Sequence, residues 1–279
     1  MRKLTKESID AYKITLMNEE KSEVTIEKYL RDITTFASWI GDKEFDKTDV
    51  LMYKSELTKK YAPSSVNTVI SSLNSFFVFH EWYDMKVRTL KIQKPIFTVE
   101  EKELTKAEYD RLLSVAKGKK NDRLYLLMQT ICSTGIRISE LKYVTVEAVQ
   151  KGRADIQAKG KRRTVFFPKQ LCHMLKEYAK RQCIKKGAIF VTKGGLPMNR
   201  SNIWSSMKKL CKEANVSEEK VFPHNLRHLF ARTYYSQEKD IVRLADILGH
   251  SSVNTTRIYT IESGEIHRKQ IQKLGLLRC

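Results

Sequence analysis

Residues 224–260 read HNLRHLFARTYYSQEKDIVRLADILGHSSVNTTRIYT, and this stretch decides how the second half of the chain folds. His224 and Arg227 stand three positions apart, which places both side chains on one face of a helix. Apolar residues recur at helical spacing around them, namely Leu226, Phe230, Ala231, Leu244, Ile247 and Leu248. We therefore predict two amphipathic helices that serve as the scaffold for the polar side chains.

The second of these helices is predicted to end at Gly249, because glycine readily adopts the left-handed conformation that closes a helix. His250 then projects from a turn, and a further short helix from Val253 carries Tyr259. Imidazole and guanidinium groups suit the oxygens of a phosphate, and a tyrosine hydroxyl beside them can attack its phosphorus. Each residue alone is more typical of a solvated helix face or a packed core, but their combination favours a catalytic site.

The HxLRH box, the LGH turn and the tyrosine nine positions after the LGH histidine resemble the tyrosine recombinase (phage-type integrase) family. The resemblance implies a DNA strand transferase that needs neither a metal nor another cofactor. It implies four catalytic residues in this stretch, which are His224, Arg227, His250 and Tyr259. His228, the second histidine of the box, is expected to support them.

The charge of the chain predicts a polyanionic partner. The 279 residues include 52 Lys+Arg against 32 Asp+Glu, for a net charge of +20. The chain length and its 41% hydrophobic residues are enough for two domains with large cores. Residues 99–279 hold 36 of the basic and 18 of the acidic side chains, so this segment carries almost all of the excess. We expect double-stranded DNA, because no basic amphipathic helix for a membrane and no aromatic platform for RNA stands out.

The sequence contains no run of about 18 apolar residues, and its N-terminus, MRKLTKESIDAYK, lacks the apolar core of a signal peptide. We therefore expect a cytoplasmic protein without a membrane partner. The five cysteines include no CxxC pair, which predicts reduced thiols rather than disulfides or a zinc site.

Residues 1 to about 90 predict a bundle of four or five helices without strands. The segment TIEKYLRDITTFASWI at residues 25–40 resembles the start of the family's core-binding domain, which implies that the bundle clamps one side of a DNA duplex. A basic stretch that ends at Pro95 predicts a linker. We place the helical domain with this linker at residues 1–98 and the catalytic domain at residues 99–279.

The second domain is predicted to begin with a capped helix. Thr105 followed by Glu108 is typical of a capping box. Residues 122–134 are largely apolar, which predicts a central core helix, and Gly135 ends it.

The segment STGIRISEL at residues 133–141 follows that helix and carries a cation and an acid three positions apart. On its own, the pair is typical of an exposed ion pair at a helix end. The segment also resembles the family's first arginine box. The resemblance implies that Arg137 binds the scissile phosphate and that Glu140 orients it.

Residues 148–167 change to a two-residue period and predict a β-hairpin with a KGKR turn at residues 159–162. Four basic side chains crowd the tip, namely Lys159, Lys161, Arg162 and Arg163. From the residues alone these are solvated turn charges, whereas the resemblance implies that Lys159 is a general acid. Ala158 stands where the family commonly has glycine, and the turn is one residue shorter. Lys161 is therefore the alternative.

Other basic side chains are expected to contact DNA phosphates without reading bases. The candidates are Lys161, Arg162, Arg163, Lys193 and Arg200. The tail at residues 260–279 carries an apolar stripe. It either packs on its own domain or, as the resemblance implies, docks on a neighbouring protomer in a homo-oligomer, with a tetramer expected at synapsis.

The sequence thus predicts a mainly α fold with a small β-hairpin (α+β), in which a helical bundle precedes a catalytic domain. The predicted function is site-specific recombination through a 3′-phosphotyrosine, for integration or excision of a mobile element or for Xer-like resolution. Two alternatives stay open. One is a DNA-binding protein of the same fold that does not cut, and the other is a topoisomerase-like enzyme that nicks and closes one duplex.

Overall fold

The computed structural model describes residues 2–92, 102–158, 161–192, 194–259 and 271–274, without the side chains of residues 158 and 161. The chain divides into two compact units, Met1–Lys94 and Pro95–Cys279. The domain boundary that the sequence predicts near residue 98 lies outside the described residues and stays a prediction.

The first unit is a helical bundle. Within residues 2–92 its helices are α1 (Lys6–Asn18), α2 (Glu23–Ile40), α3 (Lys47–Lys60), α4 (Pro63–Phe79) and a short 3-10 helix (Tyr83–Met85). Aromatic rings fill the centre, where the ring of Phe36 lies 5.0 Å from that of Tyr53 and 5.4 Å from that of Phe45. The predicted four or five helices are therefore four α-helices and one 3-10 turn.

Two asparagines of α4 attach the chain that leaves the bundle. The Asn74 amide donates to the carbonyl of Val87 and accepts from its N–H, and Asn67 binds Leu90 in the same way. An amide side chain can satisfy both backbone groups of an extended residue. The first part of the predicted basic linker is thus held on the bundle.

The second unit contains the remaining described elements. In chain order they are α5 (Lys106–Gly118), α6 (Asp122–Thr134), a 3-10 helix (Ile138–Tyr143), α7 (Val146–Lys151), β1 (Arg153–Ala158), β2 (Lys161–Phe166), α8 (Lys169–Arg181), α9 (Arg200–Lys208), α10 (Cys211–Ala214), α11 (Pro223–Glu238), α12 (Ile241–Leu248), α13 (Val253–Thr256) and a 3-10 helix (Arg257–Tyr259). Thr105 and Glu108 form the predicted capping box at the start of α5. Together with the hairpin, these helices confirm the predicted fold class.

Helix α6 is the central core helix, as predicted, and it packs against α11. It ends at Gly135, which has a φ of +65°. A Cβ added there would lie 2.5 Å from Cδ1 of Phe230 on α11. The absence of a side chain at this position lets α11 approach the end of α6, and this approach places the side chains of α11 beside the first arginine box.

Strands β1 and β2 form an antiparallel hairpin whose register runs from Arg153 opposite Phe166 to Ala158 opposite Lys161. Its inward positions are buried, at Ala154, Ile156, Val165 and Phe167. The predicted hairpin is confirmed, but the predicted turn at residues 159–162 is too long. Lys161 is the first residue of β2, because the backbone pairing continues outward to that position.

No helix among the described residues combines the length and apolar character that a membrane crossing requires. The described cysteines are free thiols, namely Cys132, Cys172, Cys183 and Cys211. Cys279 lies outside the described residues.

We expect Gly135→Ala to lower the free energy of unfolding by about 2–4 kcal/mol, because alanine is strained at positive φ and its Cβ would displace Phe230. Gly152 is the matched control, since its φ is +71° and nothing lies within 4 Å of an added Cβ. Gly152→Ala should lose only the conformational contribution of about 1–2 kcal/mol. Urea unfolding of the two variants measures the difference, and equal losses would contradict the packing argument.

Candidate active site

Arg227 of α11 is the most deeply placed cation of the site, with 2% of its surface exposed. Its Nη1 donates to the carbonyl of Gly135 at 2.5 Å, and its Nη2 donates to the carbonyl of Leu248 at 2.7 Å. These carbonyls belong to the ends of α6 and α12, where helix backbone oxygens lack partners and carry partial negative charge. Burial, aided by the nearby arginines, lowers the pKa of Arg227 to about 10, so the side chain is still charged at neutral pH.

His250 lies in the turn after α12, between two polar partners. Its Nε2 is 3.1 Å from Nη2 of Arg227, and its Nδ1 is 2.9 Å from Oγ1 of Thr256. A guanidinium only donates, so Nε2 accepts, and the ring proton is assigned to Nδ1, which donates to Thr256. Burial and the charges of Arg227, Arg137 and Arg163 lower the pKa of His250 to about 4, which keeps the ring neutral in the free protein.

Tyr259 is only 4% exposed at the end of its 3-10 helix. Its ring meets the ring of His228 edge-on, with centroids 5.0 Å apart, and stacks on the ring of His250 at 6.2 Å. Burial raises the pKa of Tyr259, while the charge of Arg227 and a hydrogen bond from it act in the opposite direction. The phenol is therefore protonated at neutral pH and lies beside a fixed cation.

His224 and His228 occupy successive turns of α11, with ring centroids 4.4 Å apart. Burial and the charges of Arg227 and Arg137 lower the pKa of His224, and burial beside His224 lowers the pKa of His228 to about 4. Nε2 of His228 is buried without a hydrogen-bond partner among the described residues. The ring of His228 packs against that of Tyr259, and its supporting role stays a prediction. His224 is the more exposed of the two histidines.

Arg137 precedes the 3-10 helix Ile138–Tyr143, and its side chain reaches the turn after α12 that carries His250. Its Nη1 donates to Oε1 of Glu140 at 3.0 Å, its backbone N–H donates to Oε2 at 2.9 Å, and its Nη2 donates to the carbonyl of Gly249 at 3.2 Å. The side chain is 37% exposed. It borders a cavity of about 1010 Å³ that is also lined by Arg163 and His250.

Arg163 differs from the sequence prediction of a solvated turn charge. Its side chain is only 11% exposed, and its Nη2 lies 2.5 Å from Oε2 of Glu140. Burial alone would raise the pKa of Glu140, but hydrogen bonds from Arg137 and the charge of Arg163 outweigh it and the pKa is lowered. The reason for the difference is position, because Arg163 takes an inward place on β2 in alternation with Val165.

The structure brings seven sequence-predicted residues together, namely Arg137, Glu140, His224, Arg227, His228, His250 and Tyr259. Lys159 and Lys193 lie outside the described residues, as does the side chain of Lys161. Arg162 and Arg200 are exposed. Sequence reasoning missed Thr256, whose only signal is a hydroxyl on the short helix between His250 and Tyr259.

Two family models match the chain. The phage integrase family matches residues 102–265, and the phage integrase N-terminal SAM-like domain matches residues 9–83. The tyrosine recombinase XerA of Pyrococcus furiosus is 30% identical to the chain, over 98% of this chain and 96% of that protein. The chain belongs to the phage integrase family. The sequence prediction of a site-specific tyrosine recombinase is thereby confirmed.

Solved structures share the fold of this recombinase at lower identity. A pre-cleavage complex of XerH bound to difH substrate is 20% identical, with a TM-score of 0.71, and covers 91% of this chain and 80% of that one. A lambda integrase dimer bound to a COC′ core site is 17% identical, with a TM-score of 0.74, and covers 91% of this chain and 94% of that one. Both likenesses concern the fold.

We expect the stability of the recombinase to fall as pH drops from about 6.5 toward 4, partly through His228. A histidine has an ordinary pKa of about 6.5 in an unfolded chain, and its folded pKa here is about 4. The unfolded state therefore takes up a proton first, which costs on the order of 2–3 kcal/mol across this window. His228→Phe keeps a ring but removes this titration, so its free energy of unfolding should decline less.

Urea unfolding at pH 7 and at pH 4.5 measures the effect. The exposed His173 provides the control, since His173→Phe should leave the pH dependence unchanged. An equally steep decline in His228→Phe and in the unmutated protein would argue against a buried neutral His228.

Proposed function

We propose that the chain cuts and rejoins double-stranded DNA through a covalent 3′-phosphotyrosine bond at Tyr259. The phenol oxygen bonds to a backbone phosphorus, the bond from phosphorus to the 5′ oxygen breaks, and a 5′-hydroxyl is released. The hydroxyl of a partner strand then reverses the step and frees the tyrosine. The energy of the phosphodiester is retained in the covalent intermediate, so no high-energy co-reactant is needed.

The observation that carries this proposal is an excess of positive charge around one phenol. Arg137 and Arg163 both pair with Glu140, Arg227 bonds to backbone carbonyls rather than to a carboxylate, and Tyr259 lies against Arg227. Burial, together with the charges of Arg227 and Arg137, depresses the pKa of His250 and His224. An anion in the site would relieve this repulsion, and a backbone phosphate has the matching charge and oxygens.

Arg137 is suited to bind a non-bridging phosphate oxygen, because its half-exposed guanidinium is already oriented by Glu140 and Gly249. Arg227 contributes positive charge from its buried position. Its hydrogen bonds go to the carbonyls of Gly135 and Leu248 and to His250. Preorganised donors of this kind stabilise a pentavalent transition state, and each contributes roughly 3 kcal/mol.

His250 requires a change of protonation to donate to the phosphate. In the free protein its Nε2 accepts from Arg227. The negative charge of a bound phosphate raises the pKa of the His250 ring and attracts the guanidinium of Arg227. Nε2 then gains a proton and becomes a donor. The bond from Nδ1 to Thr256 is unaffected by this change, since Nδ1 keeps its proton.

His224 is the proton acceptor in this scheme. Its lowered pKa leaves the imidazole neutral, and it lies next to His228, which contacts the Tyr259 ring. The leaving 5′ oxygen takes its proton from a lysine of the β1–β2 hairpin, Lys159 by the sequence resemblance and Lys161 as the alternative.

The DNA partner is supported by the basic charge of residues 99–279 and by relatives whose structures contain DNA, among them a lambda integrase tetramer bound to a Holliday junction. We propose that the first unit clamps the duplex and that Arg162, Lys193 and Arg200 contact phosphates. Recombination then takes place in a homo-oligomer, a tetramer at synapsis, with the tail at residues 260–279 docked on the neighbouring protomer. That tail lies almost wholly outside the described residues.

We expect Tyr259→Phe to bind target DNA normally but to form no covalent protein–DNA adduct, because the substitution removes only the attacking oxygen. Denaturing gels on DNA with a nick near the cleavage position trap the adduct and measure it. Tyr234→Phe is the matched control, since Tyr234 packs in the same small cluster as Tyr259. Adduct formation by Tyr259→Phe would transfer the role of nucleophile to another tyrosine.

We expect Lys159→Ala to cleave ordinary DNA about 10²- to 10⁴-fold more slowly, because an alkoxide is a poor leaving group without a proton. Sulfur in place of the bridging 5′ oxygen leaves without this help, so the variant should cleave such DNA at close to the unmutated rate. Arg137→Ala should lose activity on both substrates. Sulfur rescue of Lys161→Ala instead would move the general acid two residues along the hairpin.

A further inference from the structure

Arg163 occupies a position where the hairpin pattern calls for an apolar residue. Thr164 and Phe166 of β2 are exposed, whereas Val165 and Phe167 are buried. The side chain of Arg163 points inward with them and is 11% exposed. Burial of a charge is unfavourable unless hydrogen-bonded partners compensate, so the contacts that Arg163 makes are specific requirements of the fold.

Those contacts join three elements. Nη2 of Arg163 forms an ion pair with Glu140 of the first arginine box, and Nη1 donates to the carbonyl of Ile247 near the end of α12. The aliphatic part of the side chain lies against Gly249, where an added Cβ would overlap with Cδ of Arg163. The side chain of Arg163 thus connects β2 to the first arginine box and to the end of α12, the two segments that position the proposed phosphate-binding groups.

The phosphate-binding side chains have attachments of their own. Arg137 is held by Glu140 and by the carbonyl of Gly249, and His250 is held by Arg227 and Thr256. Arg163 shares Glu140 with Arg137 but is neither donor nor acceptor in these bonds, so its removal deletes none of them.

The outer half of the hairpin has fewer attachments. Among its described residues, side-chain hydrogen bonds to the rest of the unit are those of Arg163 and a 2.6 Å bond from the Tyr143 hydroxyl to the carbonyl of Gln157. On β2 itself Arg163 is therefore the attachment nearest the tip. The two lysines that can serve as the general acid, Lys159 and Lys161, stand four and two positions before it.

We propose that Arg163 is a positioning residue that fixes the hairpin, and with it the general-acid lysine, relative to the phosphate-binding arginines. The inference rests on the proposed function and applies whichever lysine is the acid. It predicts that loss of Arg163 impairs protonation of the leaving group and leaves the donors of Arg137 and Arg227 in place.

The test compares cleavage of ordinary DNA with cleavage of DNA that carries sulfur at the bridging 5′ position, at saturating DNA. Arg163→Met removes both hydrogen bonds at similar volume. It should slow cleavage of ordinary DNA by about 10- to 100-fold, the usual effect of removing a supporting side chain. Sulfur-substituted DNA should be cleaved at close to the unmutated rate. Arg163→Lys keeps the charge beside Glu140 but not the forked geometry, so it should show a smaller loss with the same rescue.

Thr164→Val is the matched control, because Thr164 is the adjacent exposed residue of β2 and bonds only across the hairpin to Asp155 in the contacts described. It should cleave both substrates at the unmutated rates. An equal loss of Arg163→Met and Arg163→Lys on both substrates would overturn the proposal, and so would normal cleavage by both. Absence of adduct in the unmutated protein would instead reject the proposed function, and the two failures are thereby distinguished.

Discussion

The buried guanidinium of Arg227 is the interaction on which the site depends. A charge with 2% exposure has lost most of its hydration, and only organised dipoles or counter-charges can compensate for that loss. Here the compensation comes from the carbonyls of Gly135 and Leu248, at the ends of α6 and α12. These are the positions where a helix offers unpaired oxygens and the negative end of its dipole. The same side chain then meets His250. Correct packing of α6, α11 and α12 and correct placement of the predicted catalytic groups are therefore a single structural requirement.

The second constraint is electrostatic. Glu140 is the acidic partner shared by Arg137 and Arg163, and it remains ionised because their hydrogen bonds and charges outweigh its burial. With Arg227 these side chains carry a net positive charge, and burial together with this charge lowers the pKa of the neighbouring histidines and keeps them neutral. A site in this condition is prepared for an anion, since each arginine is already oriented and the histidines can take up protons as negative charge arrives.

Local signals in the sequence predicted much of this architecture. Three predicted features depend only on residues that are neighbours in the chain, and the structure has all three. They are the bounds of α6, the capping box of Thr105 and Glu108, and the turn at Gly249. The burial of Arg163 depends instead on Glu140 and Ile247, which lie 23 and 84 positions away in the chain. No period or motif contains that information, although the alternation of Arg163 with Val165 and Phe167 gives the inward direction. The pairing of Thr256 with His250 was missed because a threonine in a short helix is ordinary until its partner is placed.

The bond between His250 and Thr256 connects the electrostatics of the site to the placement of Tyr259, the proposed nucleophile. Thr256 is fully buried at the end of α13, and the 3-10 helix that carries Tyr259 begins at the next residue. Because Nδ1 of His250 donates to Thr256 in the neutral ring and would still donate after protonation at Nε2, this bond can persist through the change of charge. The stacking of His250 on Tyr259 is then preserved as well. The histidine can thus change its role toward the phosphate while the segment that carries the phenol keeps its position, which is what attack on phosphorus from a fixed direction requires.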